Sequence, residues 1–91
     1  MAFILTRIDV GDYDRWKPMF QQDTPGARTE ATGHRILRNP DAPNEVLLMI
    51  EYSSVDQAKA GRDKLLASGV LDRFADKDNP KVFEHAEQVD Y

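Results

Sequence analysis

The sequence predicts an α+β domain of the ferredoxin-like type, in which an antiparallel four-stranded sheet carries two helices on one face. Two observations support this: hydrophobic periodicity gives the order strand, helix, strand, strand, helix, strand, and turn-forming residues separate these segments. The chain has 91 residues, which is enough for one domain, so we expect residues 1–91 to form a single unit.

The first half of the chain is predicted to hold two strands and a bent or two-part helix. Residues 2–10 are apolar and then alternating, as in a strand. A helix follows, with Asp12 or Asp14 as its cap. Its apolar stripe consists of Tyr13, Trp16, Met19 and Phe20. Thr24 as a cap and Pro25 in the first position predict a short second helical piece through Ala31.

The second half supplies the remaining elements. After Gly33 come a second strand (34–38), a turn (39–44) and a third strand (45–52). Ser54 and Gln57 have capping-box spacing and open a helix to about residue 67, in which Gly61 suggests close packing. A short apolar turn containing Val70, Leu71 and Phe74 precedes the last strand, predicted from Lys81 to about Val89.

The third strand is apolar on both faces. Val46, Leu48 and Ile50 share one face, and Leu47 and Met49 lie on the other. A strand of this kind is covered on both sides. Since one layer of helices covers a single side of a sheet, a partner must cover the other.

Composition excludes several classes of function. A net charge of −4 argues against nucleic-acid and anionic-membrane surfaces. Without cysteine there is no thiolate metal site, iron–sulfur cluster or cysteine nucleophile. No apolar run reaches the length of a membrane span, and the first residues lack the basic start of a signal peptide. We therefore expect a soluble, cytoplasmic protein.

Three partners for the second sheet face can be compared: RNA, a metal or small ligand, and a second copy of the chain. An RNA-binding sheet would place aromatic residues on its central strands, but the third strand has no ring before Tyr52. A metal carrier of this fold would need soft ligands, such as a pair of cysteines, after the first strand, and the chain has no cysteine. A phosphate cradle is excluded there because Asp12 and Asp14 would repel an anion. Self-pairing, sheet against sheet, remains.

The stretch from Val10 to Phe20, VGDYDRWKPMF, resembles a helix signature of small dimeric α+β barrel proteins. These are similar to the antibiotic-biosynthesis monooxygenase and polyketide-cyclase-like families, whose members are mostly uncharacterised. The resemblance implies a homodimer with a shared barrel and a small hydrophobic ligand held between sheet and helices. The sequence departs from it at Thr24-Pro25-Gly26, where relatives usually continue the helix. The catalytic residues of the monooxygenases cannot be transferred to this chain, because no motif in this sequence matches the polar residues of their pockets.

Aromatic and apolar residues are the candidate ligand contacts. The favoured interpretation of Tyr13 and Trp16 is that they pack in the core. The alternative is that they form an aromatic wall against which a flat ligand binds. The predicted substrate-binding set is Tyr13, Trp16, Phe20, Met49 and Phe74.

Candidate polar chemistry is sparse. His34 and His85 are the only histidines, and histidine is the side chain best suited to proton transfer near neutral pH. The favoured interpretation of both is that they are solvated or hydrogen-bonded residues of strands, without a catalytic role. An ion pair between Arg7 and Glu51 on adjacent strands is expected to be structural. No metal-ligand spacing and no phosphate-loop or nucleotide motif occurs, so we expect neither a metal nor a cofactor.

Two functions remain open, beside a third possibility of a purely structural dimer with no pocket. The first is a homodimeric barrel that binds a small hydrophobic or aromatic molecule. The second is a cofactor-free monooxygenase or cyclase that acts on an aromatic or polyketide-like substrate, with Trp16 and Tyr13 as walls and a histidine as acid or base. The sequence does not decide whether the protein is an enzyme.

Overall fold

All four predicted strands and both long helices form, in the predicted order, in a computed structural model that describes residues 1–23 and 26–91. The elements are β1 (Ala2–Asp9), α1 (Tyr13–Gln21), β2 (Ala31–Asn39), β3 (Ala42–Tyr52), α2 (Val55–Ala67), a 3-10 turn (Val70–Arg73) and β4 (Lys81–Glu84). No helix in these two ranges is both long enough and apolar enough to cross a membrane.

The strands form one antiparallel sheet in the order β2-β3-β1-β4. Ile4 lies opposite Ile50 and Ile8 opposite Val46, so the apolar positions of the two central strands share one face. Both long helices pack on that face. The ferredoxin-like α+β prediction is confirmed.

The core between sheet and helices has two parts. One part surrounds Trp16 and Leu71 and includes Ile8, Val46 and Leu48 from the sheet. The other surrounds Tyr52 and Ala58, and there Ala2, Ile4 and Ile50 supply the sheet side. The strict alternation along β1 and β3 explains this arrangement, since every second residue faces the helices.

Both long helices begin at the predicted caps. The Asp12 carboxylate accepts hydrogen bonds from the backbone N–H groups of Asp14 and Arg15, and the Ser54 hydroxyl accepts one from Gln57 N–H. These side chains satisfy N–H groups that have no partner within the helix.

The other side of the sheet, here called the open face, carries six large apolar side chains. They are Phe3, Leu5, Leu37, Leu47, Met49 and Phe83. Leu37, Leu47 and Phe83 are exposed by 44%, 37% and 49%. The prediction that β3 is apolar on both faces is therefore confirmed, and one of these faces is uncovered in the single chain.

β4 is shorter than predicted, ending at Glu84 instead of about Val89. β4 pairs only with β1, and in that register Glu84 lies opposite Ala2, where β1 begins. One further hydrogen bond joins His85 N–H to Met1 O at 3.0 Å. Beyond His85 no backbone of β1 is left to pair with.

The predicted second helical piece does not form in the described residues. Thr24 and Pro25, its predicted start, lie outside those residues; residues 27–30 form turns, and Ala31 already belongs to β2. The pairing of Ala31 with Tyr52 draws this segment into the sheet.

The expected ion pair between Arg7 and Glu51 is wrong. The register places Glu51 opposite Phe3, whereas Arg7 lies opposite Leu47. The Arg7 guanidinium instead contacts three other carboxylates, those of Glu45, Asp76 and Asp78, at 3.2, 2.7 and 3.4 Å.

Candidate functional site

A cavity of about 370 Å³ lies between the sheet, the C-terminal end of α1 and the 3-10 turn. Trp16 and Phe20 project into it from α1, Leu48 and Ile50 line it from β3, and Phe74 follows the 3-10 turn. This volume lies within the range of small-molecule sites, roughly 300–1,000 Å³. Its walls are mainly apolar and aromatic, so it suits a hydrophobic ligand.

Three rings of α1 form one stack, comprising Tyr13, Trp16 and Phe20. Their spacing of three and four residues places them on one side of the helix. The Trp16 and Phe20 ring centroids are 5.0 Å apart with planes 30° apart, and those of Tyr13 and Trp16 are 5.7 Å apart. The Arg38 guanidinium covers Tyr13 at 3.9 Å from the ring centroid. Phe20 is therefore the end of the stack nearer the polar residues of the cavity.

Arg28 and Asp23 form a polar edge beside Phe20. The Arg28 guanidinium carbon lies 3.8 Å from the Phe20 ring centroid, and its Nη2 donates to Phe20 O. Arg28 Nε is 3.4 Å from Asp23 Oδ1, while Asp23 Oδ2 accepts from the Arg28 backbone N–H at 3.0 Å. The two side chains are only 13% and 24% exposed, so their charges meet at the margin of an apolar cavity.

Tyr52 fixes the segment that carries Arg28. The buried Tyr52 hydroxyl donates to Ala27 O, and Ala27 and Arg28 both line the cavity. Burial raises the pKa of Tyr52, so the hydroxyl remains a donor at neutral pH. Gly61 of α2 packs against the same hydroxyl and carbonyl. Strand β3 and helix α2 thus position the polar edge.

His34 meets the ring stack from β2. Its ring stands edge-on to Phe20 with centroids 5.1 Å apart. Partial desolvation lowers the pKa of His34, and the positive charges of Arg28 and Lys17 lower it further. Neutral imidazole is therefore favoured at pH 7.

The structure brings three of the seven predicted site residues to the cavity, namely Trp16, Phe20 and Phe74. Tyr13 packs beside Trp16 but does not line the cavity. Met49 lies on the open face, because its neighbours Leu48 and Ile50 face the helices.

The two histidines are separated by the whole sheet. His34 is on the edge strand β2, whereas His85 follows the opposite edge strand β4. The His85 ring is 6.4 Å from that of Phe3, on the open-face side. They cannot act together within one chain. Neither histidine lines the cavity, but His34 contacts Phe20, which does.

The polar edge was missed from the sequence. Arg28 falls within the predicted second helical piece, and no local pattern joins it to Phe20 or Asp23. Their contact arises because the chain folds back after α1. Among the described residues, no group of three or more histidine or acidic side chains could hold a metal ion.

Comparison with known proteins gives a fold likeness without a sequence match. No family model and no curated protein matches the chain. A solved structure from Deinococcus radiodurans aligns with a TM-score of 0.65 at 9% identity, covering 100% of this chain and 98% of the other. One from Nitrosomonas europaea aligns at 0.62 with 18% identity, covering 96% and 100%. Both are named "putative antibiotic biosynthesis monooxygenase".

A third solved structure, protein Atu4242 from Agrobacterium tumefaciens, aligns with a TM-score of 0.60 at 13% identity and covers 94% of each chain. The fold therefore matches that of the antibiotic-biosynthesis monooxygenase-like α+β proteins over nearly the whole chain. At these identities the likeness concerns the fold alone.

Proposed function

We propose that this chain forms a homodimer through its open face and binds a small hydrophobic or aromatic molecule in the cavity between sheet and helices. The observation that carries the binding function is the cavity of about 370 Å³ walled by Trp16, Phe20 and Phe74. A preformed apolar cavity with a few polar groups at one side is the usual form of a small-molecule site.

The homodimer accounts for the exposed apolar surface of the open face. Six large apolar side chains lie there, and water contact with such a surface is unfavourable. A second copy offers the same surface in a two-fold arrangement, so both faces are buried at once. Native mass spectrometry of the gently purified protein tests this: a dimer mass is expected, and a monomer would refute this assembly.

Ligand binding is tested by calorimetric titration with 2-naphthalenemethanol, a neutral aromatic probe. Val70 lines the cavity and is partly buried, so Val70→Phe fills part of the space. We expect saturable binding of the probe to the unmodified protein and about tenfold weaker binding to Val70→Phe, since the larger ring excludes it.

The matched control is Val89→Phe, which adds the same atoms at an exposed residue outside the cavity. It should bind the probe like the unmodified protein. Absence of saturable binding to all three proteins would contradict the binding function, and so would equal affinity of Val70→Phe and Val89→Phe.

A second candidate is a cofactor-free monooxygenase or cyclase. The contact of His34 with Phe20 supports it, because a rotation of the neutral imidazole toward the cavity would let it take a proton from a bound phenol or anthrone. The names of the two similar structures point to the same chemistry. In such an oxidation O₂ would place one oxygen atom on a substrate carbon, and the two hydrogens removed from the substrate would supply the electrons and protons that reduce the other oxygen atom to water.

A panel of anthrones and activated phenols in aerated buffer tests the enzyme. We expect His34→Ala to abolish turnover and His85→Ala to retain it, because His34 packs on the lining residue Phe20, whereas His85 packs on Phe3 of the open face. No turnover with any member of the panel, together with saturable binding of 2-naphthalenemethanol, favours the binding protein.

A further inference from the structure

We infer that the natural ligand of the cavity is an aromatic carboxylate, whose ring lies against Trp16 and Phe20 and whose anionic head is bound by Arg28. This rests on the proposed binding function and adds the chemical class of the ligand. The inference combines the charges around the cavity, the donors of Arg28 and the electrostatic environment of His34.

The ionisable side chains that line the cavity have a net positive charge. Two arginines, Arg28 and Arg73, and one carboxylate, Asp23, are among the lining residues. The chain as a whole has a net charge of −4, so this local excess runs against the overall balance. A net positive charge among the lining residues favours an anionic ligand.

Arg28 keeps donor capacity for such a ligand. A guanidinium has five N–H donors. Among residues 1–23 and 26–91, Arg28 directs its side chain to Phe20 O and Asp23. The stacking of the guanidinium on Phe20 fixes its plane beside the cavity, and a planar guanidinium suits a carboxylate.

His34, which contacts Phe20 at 5.1 Å between ring centroids, lies close enough to Arg28 to be affected by its positive charge. Desolvation lowers the pKa of His34, and the positive charges of Arg28 and Lys17 lower it further. A field that disfavours an imidazolium favours an anion at the same place.

The presence of Asp23 also limits the charge of the ligand. A monoanion balances the net positive charge of the lining residues, whereas a dianion such as a phosphate monoester would be repelled by Asp23. Trp16, Phe20 and Phe74 line the cavity with aromatic side chains, which an aromatic ring of the ligand can contact. An aromatic carboxylate satisfies both requirements.

The experiment compares 2-naphthoate with 2-naphthalenemethanol by calorimetry at pH 7. The two probes share a ring system and differ in the charge of the head group. We expect 2-naphthoate to bind about tenfold more tightly at low salt, because a charge-assisted hydrogen bond replaces a neutral one. The preference should shrink as salt is added, since Arg28 retains some solvent contact.

Variants locate the source of the preference. Arg28→Gln should reduce the affinity ratio of the two probes to near one, and Arg28→Lys should restore part of it by keeping the charge. Arg73→Gln should reduce the ratio about twofold, because Arg73 is more exposed and its field is screened. The matched control is Arg15→Gln, an exposed arginine of α1 that does not line the cavity.

Several outcomes would overturn the inference. Equal affinity of the two probes for the unmodified protein would do so without affecting the binding function. An unchanged ratio in folded Arg28→Gln, or an equal loss in Arg15→Gln, would remove Arg28 as the anion contact. If Arg28→Gln does not fold, the inference is tested by the ratio of the affinities of the two probes for the unmodified protein and by the salt dependence of that ratio. Binding of neither probe would contradict the proposed function itself.

Discussion

Gly61 packs so closely against Tyr52 and Ala27 that a side-chain methyl group at this position would disturb the polar edge of the cavity. A Cβ at this position would lie 2.8 Å from Ala27 O and 2.8 Å from Tyr52 Cζ. Atoms this close must move apart, and the hydrogen bond from Tyr52 to Ala27 is the contact that would yield. The sequence prediction of close packing at Gly61 is confirmed.

We expect Gly61→Ala to lower the free energy of unfolding by about 1–3 kcal/mol, although alanine is the better helix former. Denaturant unfolding gives this value. The control is Gly33→Ala, because a Cβ on Gly33 meets no atom within 4 Å; it should change stability by no more than about 0.5 kcal/mol. Equal stability of the two variants would contradict the packing argument.

His34 makes stability depend on pH. Since its pKa is lowered in the folded protein, the unfolded chain binds a proton at His34 more readily than the folded chain does. The resulting stability is present above the ordinary histidine pKa, near 6.5, and is lost as pH falls through the lower folded value.

We therefore expect His34→Gln to gain stability relative to the unmodified protein as pH is lowered from 7.5 to about 5. Thermal or urea unfolding across this range measures the difference. His85→Gln is the matched control, because it replaces the other exposed histidine, which follows the edge strand β4. A stability difference between His34→Gln and the unmodified protein that does not vary with pH would contradict the assignment.

At the scale of elements, α1 positions the ring stack and depends on its cap. The Asp12 side chain accepts hydrogen bonds from two N–H groups of the first turn, while Pro18 lies inside the helix. A nine-residue helix gains little stability from its own hydrogen bonds, so its first turn relies on the cap.

We expect Asp12→Ala to lower the free energy of unfolding by about 1 kcal/mol, with a smaller effect for Asp12→Asn, since asparagine also caps helices. The measurement is denaturant unfolding followed by circular dichroism. Equal losses in the two variants would mean that charge, and not capping, is responsible.

At the scale of the whole molecule, the two sides of the sheet differ in what covers them. The helices cover one side of the sheet, and the cavity lies there. The other side exposes Leu37, Leu47 and Phe83, which a second copy would bury. The proposed assembly and the proposed ligand binding would therefore use opposite sides of one sheet.

We expect Leu47→Lys to weaken the proposed dimer by about 100-fold or more, because a lone charge would be buried between two apolar sheets. Analytical ultracentrifugation over a concentration series measures this. Leu66→Lys makes the same change on α2, where Leu66 is 49% exposed, and should leave the dimer intact. A Leu47→Lys variant that dimerises like Leu66→Lys would exclude the open face as the interface.

Local patterns along the chain were sufficient for most of the fold. The alternation in β3, the stripe of α1 and the caps Asp12 and Ser54 depend on neighbours within a few residues, and all four are present as predicted. Errors arose where pairing decides the outcome: β4 ends early because β1 offers no further partner, and Arg7 meets Glu45 because of the strand register.

The sequence by itself determined the order of elements, the antiparallel sheet with helices on one side and the apolar second face of β3. Only the tertiary structure placed Arg28 on Phe20, joined Tyr52 to Ala27 and sent Met49 and Trp16 to opposite sides of the sheet. The physical reason is that periodicity reports which residues share a side of one element. Contacts between distant segments depend on register and on how the chain folds back, which no local pattern encodes.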